Sequence, residues 1–121
     1  MHSGILSCDA DAPLGEVARI MTKHRVHAVA VTTGDRPRPV GVVSDLDVVA
    51  AAASGEELVA RRAAATEPLA ISANAPLDRA AQLMTEHGIS HLVVLDPAGG
   101  SPVGILSTLD IAVLIAQDTE R

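Results

Sequence analysis

Two nine-residue stretches of this chain are nearly the same: GVVSDLDVV at residues 41–49 and GILSTLDIA at residues 104–112. Each contains a glycine, a serine three residues later and an aspartate three residues after the serine, whereas Asp45 in the first becomes Thr108 in the second. A shift of 63 residues superimposes them, and the same shift aligns three further matches without a gap. These are APL 12–14 with APL 75–77, MTKH 21–24 with MTEH 84–87, and PVG 39–41 with PVG 102–104. Matches at one offset over a whole segment indicate an internal duplication.

Each copy has the pattern of a strand, a helix, two strands and a second helix. A brief strand is expected at residues 5–8 in the first copy and at residues 69–72 in the second. Two further strands around a turn rich in glycine and proline are predicted by HAVAVT and VGVV in the first copy, and by HLVVLD and VGIL in the second. Apolar residues spaced i, i+3, i+4, i+7 predict the first helix. They are Leu14, Val17, Ala18 and Met21 in the first copy, and Leu77, Ala80, Ala81 and Met84 in the second.

The second helix of each copy is expected to begin at Ser44 or Ser107 and to turn one apolar stripe toward the core. The predicted stripes are Leu46, Val49, Ala50 and Ala53 in the first copy, and Leu109, Ala112, Val113 and Ala116 in the second. Between the copies, residues 56–64 are predicted to form a linking helix that Pro68 ends. Neither copy is large enough to bury its own sheet well, so the two are expected to pack together.

Composition excludes several classes of function. The 121 residues include no Phe, Tyr or Trp, so aliphatic side chains must form both the core and the walls of any ligand site. A net charge of −6 argues against broad nucleic-acid binding, which needs a basic face. A single cysteine, no signal-peptide pattern and no long apolar run predict a soluble, cytoplasmic protein.

The serine and aspartate pairs have two interpretations. In a capping box, the serine hydroxyl accepts a hydrogen bond from a free helix amide and the acid accepts one from the serine amide, which contributes about 1 kcal/mol. In a ligand site, the same hydroxyl donates to a ribose or phosphate oxygen, and the carboxylate accepts from the two hydroxyls of a ribose. Aspartate is short enough to leave space for the sugar. The residues alone leave both interpretations open.

The whole chain resembles a tandem pair of CBS (cystathionine beta-synthase) domains, also called a Bateman module. The resemblance rests on GVVSDLDVV and GILSTLDIA, and on MTKHRVHAVAV and MTEHGISHLVVLD before them. It implies an α+β fold of two β-α-β-β-α repeats packed about a pseudo-twofold axis, at residues 1–55 and 69–121 with a linker at 56–68. It also implies regulatory clefts between the repeats for AMP, ADP, ATP or S-adenosylmethionine.

The resemblance assigns roles to matching residues. Ser44 and Ser107 match the family's hydroxyl position, and Asp47 and Asp110 match the carboxylate that holds the ribose. The other ligand-binding residues that it implies are Val42 and Ile105 beside the adenine, His24 and Arg25 toward phosphate, Thr66 near the adenine of the Asp47 cleft, and wall residues borrowed from the opposite repeat, Ile89 and Ser90 for the Asp47 cleft and Val26 and His27 for the Asp110 cleft.

The second repeat departs from this pattern because Gly88 stands where the first repeat has Arg25. An arginine binds phosphate through two parallel hydrogen bonds, which glycine cannot make. The Ser44–Asp47 site is therefore expected to be the better nucleotide site. The Asp110 cleft is expected to be empty or to take a ligand with fewer phosphates.

No residues here predict catalysis or a metal site. The five histidines lack a cysteine pair or a carboxylate cluster that would complete a tetrahedral site. Cys8 has no His or Asn partner in a recognisable arrangement, and no paired carboxylates suggest acid–base chemistry. The chain is therefore expected to be a sensor, not an enzyme, and to act on a separate partner protein.

The last helix carries a second set of large apolar residues, Ile111, Leu114 and Ile115, partly outside the predicted stripe. Such a face either packs within the repeat pair or contacts a partner. The family commonly forms homodimers through these helices, so the resemblance implies a homodimer. A structural dimerisation module without a ligand is the alternative function.

Overall fold

The computed structural model describes residues 5–35, 39–64 and 68–119. The chain divides into two units, one spanning Ile5–Pro68 and the other built from Leu69 onward. Both have the predicted order of strand, helix, strand, strand and helix, so the α+β fold is confirmed. Among the described helices, none combines the length and the hydropathy that crossing a lipid bilayer requires.

The first unit is a three-stranded sheet with its helices. Its elements are β1 (Ser7–Asp9), α1 (Leu14–His24), β2 (Ala28–Thr32), β3 (Gly41–Ser44), α2 (Asp45–Ser54) and α3 (Ala60–Ala63). The sheet order is β1-β2-β3, with β1 parallel and β3 antiparallel to the central strand. Because Ser44 pairs with Ala28, α2 begins directly beside the start of β2.

The second unit repeats this arrangement. Its elements are β4 (Ala70–Ser72), α4 (Leu77–His87), β5 (His91–Leu95), β6 (Pro102–Ser107) and α5 (Thr108–Thr119). The order β4-β5-β6 again has a parallel and an antiparallel pairing, with a register shift between Val94 and Leu95. His91 pairs with Ser107, so α5 begins beside β5 as α2 begins beside β2.

The first helix of each unit packs through the predicted face. Val17 and Met21 on α1, and Ala80 and Met84 on α4, are buried. Their partners are strand residues such as Val29 and Leu92, which have no exposed surface. Each unit therefore has its own aliphatic core, as the absence of aromatic residues requires.

The segment that joins the repeats packs into the first unit. The helix is shorter than the predicted 56–64 because Val59, in extended backbone, forms an isolated bridge with Pro13 just before it begins. The Ala60 amide donates to the Ala12 carbonyl at 2.9 Å, and the Ala60 side chain is fully buried. Ala60, Ala63 and Ala64, in the middle of the predicted linker, thus complete the first core, while the domain boundaries at 55, 56, 68 and 69 stay a prediction.

The predicted faces of the second helices are wrong. Leu46 and Val49 on α2 are 72% and 62% exposed, and Leu109 on α5 is 61% exposed. The buried residues are instead Ala51 on α2 and Ile111 on α5, so Ile111 belongs to the core and not to a partner surface. Both helices are apolar on nearly every side, so periodicity offers no contrast from which to choose the inward face.

We expect Ile111→Ala and Leu109→Ala to differ sharply in stability. Ile111 lies in the second core, so its truncation should lower the free energy of unfolding by about 2–4 kcal/mol. Leu109→Ala removes a side chain that is exposed within a single chain, so in the monomer it should cost about 0.5 kcal/mol or less. Urea unfolding followed by circular dichroism measures both, and equal losses would contradict this assignment of faces.

Candidate functional site

Ser44 and Asp47 form a complete capping box where β3 passes into α2. Ser44 is the N-cap residue of the helix, with extended backbone, and its Oγ accepts a hydrogen bond from the Asp47 amide at 3.2 Å. The Ser44 amide donates to Asp47 Oδ2 at 2.8 Å. The capping interpretation is therefore present in the structure, and any ligand contact must use atoms that the box leaves over.

Ser107 and Asp110 repeat this geometry at the start of α5. The Asp110 amide donates to Ser107 Oγ at 3.1 Å, and the Ser107 amide donates to Asp110 Oδ2 at 2.8 Å. The Ser107 hydroxyl also donates to Asp110 Oδ2 at 3.0 Å. Burial by itself raises the pKa of the Asp110 carboxyl, while hydrogen bonds, among them those from Ser107, lower it, and the net pKa lies below its usual value.

The two serine and aspartate pairs differ in the hydrogen bonds that their side-chain oxygens make. Asp47 Oδ1 accepts no hydrogen bond from residues 5–35, 39–64 or 68–119, and the Ser44 hydroxyl donates to no acceptor among them. In the second pair, the serine proton is directed at the Asp110 carboxylate instead. Among the described residues, the first pair therefore keeps one unused acceptor and one unused donor within the same capping box.

Asp45, the first residue of α2, has partners of its own. Its Oδ1 accepts a hydrogen bond from the Leu46 amide at 2.9 Å, and its Oδ2 lies 2.9 Å from His27 Nδ1. Sequence reasoning missed this contact, although pairing of Ala28 with Ser44 places residues 27 and 45 next to each other. Both side chains are well exposed to solvent.

The strand residues Val42 and Ile105 are half-buried, in contrast to the fully buried Val43. Side chains alternate along a strand, so Val42 faces away from the first core that Val43 fills. Ile105 pairs with Val93 in the second unit and occupies the position equivalent to Val42. Both apolar side chains therefore keep surface on which a ligand can rest.

Arg25 ends α1 in the left-handed backbone region, with φ 54° and ψ 49°. The equivalent residue at the end of α4 is Gly88, with φ 62° and ψ 37°. Among the described residues, Arg25 is the one non-glycine with positive φ. Glycine adopts this conformation without steric cost, whereas arginine adopts it at a steric cost. The first repeat therefore keeps the Arg25 guanidinium at the expense of stability.

The remaining predicted site residues lie around these helix ends. His24 is the last residue of α1, Val26 packs partly against the first core, and Ile89 packs partly against the second. Ser90 Oγ lies 2.9 Å from His91 Nδ1. Thr66 lies outside the described residues.

Other reactive side chains do not assemble into a site within the part of the chain that the structure describes. It contains no group of three or more His, Cys, Asp or Glu residues placed to hold a metal ion. Cys8 is buried in the first core, and burial, with smaller contributions from Glu16 and Asp9, raises the pKa of its thiol to about 11. The thiol therefore stays protonated near neutral pH and is a poor nucleophile.

Comparison with known proteins identifies this architecture. The family model for the CBS domain matches residues 1–54 and again residues 60–117. The solved structure of CBS domain protein PAE2072 from Pyrobaculum aerophilum, complexed with AMP, is 32% identical and covers 98% of this chain and 95% of its own, with a TM-score of 0.82. No curated protein matches the chain.

Two more distant structures support the fold alone. The CBS domain pair of protein MJ0100, solved with 5′-methylthioadenosine and S-adenosyl-L-methionine, is 20% identical over 98% of this chain and 93% of its own, with a TM-score of 0.85. CBSX2, solved in complex with AMP, is 23% identical and covers 97% of this chain and 90% of its own, with a TM-score of 0.74.

We expect Arg25→Gly to raise the free energy of unfolding by about 0.5–1 kcal/mol, because glycine relieves the left-handed backbone at the end of α1. The reciprocal change, Gly88→Arg, should lower it by a similar amount. A Cβ at Gly88 meets no atom within 4 Å, so the loss should arise mainly from the left-handed backbone and not from a steric clash at Cβ. Thermal unfolding measures both, and a less stable Arg25→Gly protein would contradict this assignment.

Proposed function

The chain belongs to the CBS domain family, and from that premise we propose that it is a regulatory module that binds an adenosine-containing ligand at Ser44 and Asp47. The ligand is AMP, ADP, ATP or S-adenosylmethionine. The observation that carries the proposal is that, in one capping box, Asp47 Oδ1 accepts no hydrogen bond and the Ser44 hydroxyl donates none among the described residues. The AMP bound to the 32% identical PAE2072 protein supports the choice of ligand.

The first pair matches the hydrogen-bonding groups of a ribose. A ribose diol offers two hydroxyl donors, and a carboxylate with a free oxygen accepts from them. Because Oδ2 is fixed by the Ser44 amide at 2.8 Å, the carboxylate is held in one orientation before the ligand arrives. A fixed acceptor loses little entropy on binding, which favours affinity. The apolar surface of Val42 provides a contact for the adenine ring.

Arg25 supplies the positive charge for a phosphate. Its guanidinium is exposed, and the left-handed backbone at this position gives a reason to look for a function that opposes stability. His24 precedes it and adds a second group able to donate to phosphate. The Arg25→Gly protein is therefore expected to bind AMP less tightly and to keep its affinity for uncharged adenosine.

The second pair is proposed as the weaker site. Its serine proton is directed at Asp110, and Gly88 provides no cation. A ligand there must displace the bond from the Ser107 hydroxyl and gains no bond from an arginine. Ile105 is the proposed adenine contact of this pair, and Val26 and His27 are its proposed wall residues. For the Asp47 site, the proposed wall residues are Ile89 and Ser90, and Thr66 is proposed to lie near the adenine.

The output of such a module is a shift between two conformations. A ligand shifts their equilibrium only by the difference between its affinities for them. We propose that a partner protein reads this shift and that the chain itself does not turn over the nucleotide. Incubation of AMP and ATP with the protein, followed by chromatography, tests for turnover.

Isothermal titration with AMP, ADP, ATP and S-adenosylmethionine tests the site, with Asp47→Glu as the decisive variant. Glutamate is the usual acid of a capping box, so the cap and the melting temperature should be retained. The longer side chain enters the space of the sugar, so affinity should fall at least about tenfold, a loss of about 1.4 kcal/mol. Asp110→Glu is the matched control and should leave the tighter binding event unchanged.

Two results would contradict the proposal. No heat with any of the four ligands would leave the capping box as the complete explanation of the serine and aspartate pairs. Equal losses in Asp47→Glu and Asp110→Glu would show that the two pairs do not differ as the hydroxyl geometry indicates.

A homodimerisation module is the second candidate, because large exposed apolar residues concentrate on two helices. Of the seven such residues in the part of the chain that the structure describes, six lie on α2 or α5: Leu46, Val49, Leu109, Val113, Leu114 and Ile115. The seventh, Leu77 on α4, is only 37% exposed. Such a concentration is unusual on a monomer and typical of an interface. The predicted interface therefore keeps Leu114 and Ile115, loses Ile111, and gains Leu46 and Leu109.

We expect the protein to have twice the 12.4 kDa mass of one chain in light scattering coupled to gel filtration. The double variant Leu46→Glu/Leu109→Glu should shift it to the mass of one chain, because two charges are then placed in the apolar contact. Leu77→Glu is the control and should stay dimeric. A wild-type mass of 12.4 kDa would contradict this candidate.

A further inference from the structure

The residue after the serine differs between the repeats, and this difference changes the charge where each second helix begins. Asp45 places a second carboxylate in the first turn of α2, next to Asp47. Thr108 is uncharged, so the first turn of α5 has Asp110 alone. The Asp45 side chain is 59% exposed, so its carboxylate is in contact with solvent.

The Asp45 carboxylate also accepts a hydrogen bond from a backbone amide that an anion could otherwise bind. The N-terminus of a helix attracts anions because its amides are unpaired and its dipole is positive there. At α2, the Asp45 amide donates to the His27 carbonyl at 2.9 Å, and the Leu46 amide donates to Asp45 Oδ1 at 2.9 Å. The Asp47 amide donates to Ser44 Oγ. The first three amides of α2 thus have acceptors, one of them a carboxylate.

The start of α5 lacks this carboxylate cap. The Thr108 amide donates to the Ser90 carbonyl at 3.0 Å, as the Asp45 amide does to His27. Within the described residues, the Thr108 side chain accepts no hydrogen bond from the Leu109 amide, in contrast to Asp45 and Leu46. The two helix starts make the same backbone hydrogen bond but differ by one aspartate. The first turn of α2 has Asp45 and Asp47, and the first turn of α5 has Asp110.

Basic residues precede β2 in the chain, and α2 begins beside the start of that strand. His27 contacts Asp45 Oδ2, and Arg25 and His24 lie two and three residues before His27 in the chain. The guanidinium of Arg25 matches one phosphate group. Each further phosphate adds negative charge near Asp45 and Asp47, whereas the segment between the end of α1 and the start of β2 contains one arginine, Arg25.

We propose that Asp45 is a specificity-determining residue that makes the Ser44–Asp47 site prefer an adenosine monophosphate over the triphosphate. The inference rests on the proposed function and adds the number of phosphates that the site accepts. The Asp45 carboxylate repels the β- and γ-phosphates of a ligand whose ribose is held by Asp47. It also closes the Leu46 amide to them.

The test is calorimetric titration of the full chain with AMP and with ATP, in magnesium-free buffer at fixed ionic strength. The parent protein carries Asp110→Ala, so that the first site alone reports. It should bind AMP more tightly than ATP. Adding Asp45→Asn keeps an oxygen for the Leu46 amide and removes the charge, and should reduce the ratio of Kd for ATP to Kd for AMP by about three- to tenfold.

Two controls separate this effect from a general change in charge. Asp78→Asn removes an exposed aspartate from the first turn of α4 and should leave the ratio unchanged. Asp45→Thr, the residue of the second repeat, should change the ratio in the same direction as Asp45→Asn. Added salt should narrow the ratio in the parent, because it screens exposed charges. Circular dichroism verifies that each variant is folded.

The outcomes are distinguishable. A ratio that Asp45→Asn leaves unchanged, or that Asp78→Asn changes equally, overturns the inference while AMP binding upholds the proposed function. A parent that binds ATP more tightly than AMP overturns it as well. Absence of binding by both nucleotides, in the wild type and in the parent, overturns the proposed function and the inference with it.

Discussion

A carboxylate one turn into a helix holds the amide of the serine that ends the preceding strand, and this bond organises both halves of the chain. Asp47 Oδ2 and the Ser44 amide are 2.8 Å apart, and Asp110 Oδ2 and the Ser107 amide are the same distance apart. The bond fixes where the strand ends and the helix begins. It also orients the carboxylate, so one arrangement provides a folding signal and, in the function proposed above, a preformed acceptor for a ligand.

The cap and the proposed ligand site can share these atoms because a carboxylate has two oxygens. In the first unit, Oδ2 completes the cap and Oδ1 is left over. In the second, the Ser107 hydroxyl turns to the carboxylate as well, which removes the donor that a ligand would use. Asp45 adds two contacts at the same helix start, because it accepts a hydrogen bond from the Leu46 amide and contacts His27. Small differences in hydrogen bonding thus separate two repeats whose backbones match.

The sequence predicted the duplication, the order of elements and the serine and aspartate pairs, because each depends on local patterns. The faces of α1 and α4 were also correct, since polar residues alternate there with Val17, Met21 and Met84. The faces of α2 and α5 were wrong because alanine, valine and leucine surround both helices. Which side is buried there follows from the direction in which Ser44 and Ser107 leave the sheet, and local periodicity contains no such information.

The cores described for the two units consist of aliphatic side chains and one cysteine, and the chain has no aromatic side chain at all. Such a protein is nearly transparent in the near ultraviolet. An adenine ring retained through purification would therefore dominate the absorption spectrum instead of adding a shoulder to it. The same property removes intrinsic tryptophan and tyrosine fluorescence as a probe, so the ultraviolet absorption of an adenine ligand would be the simpler optical signal of binding.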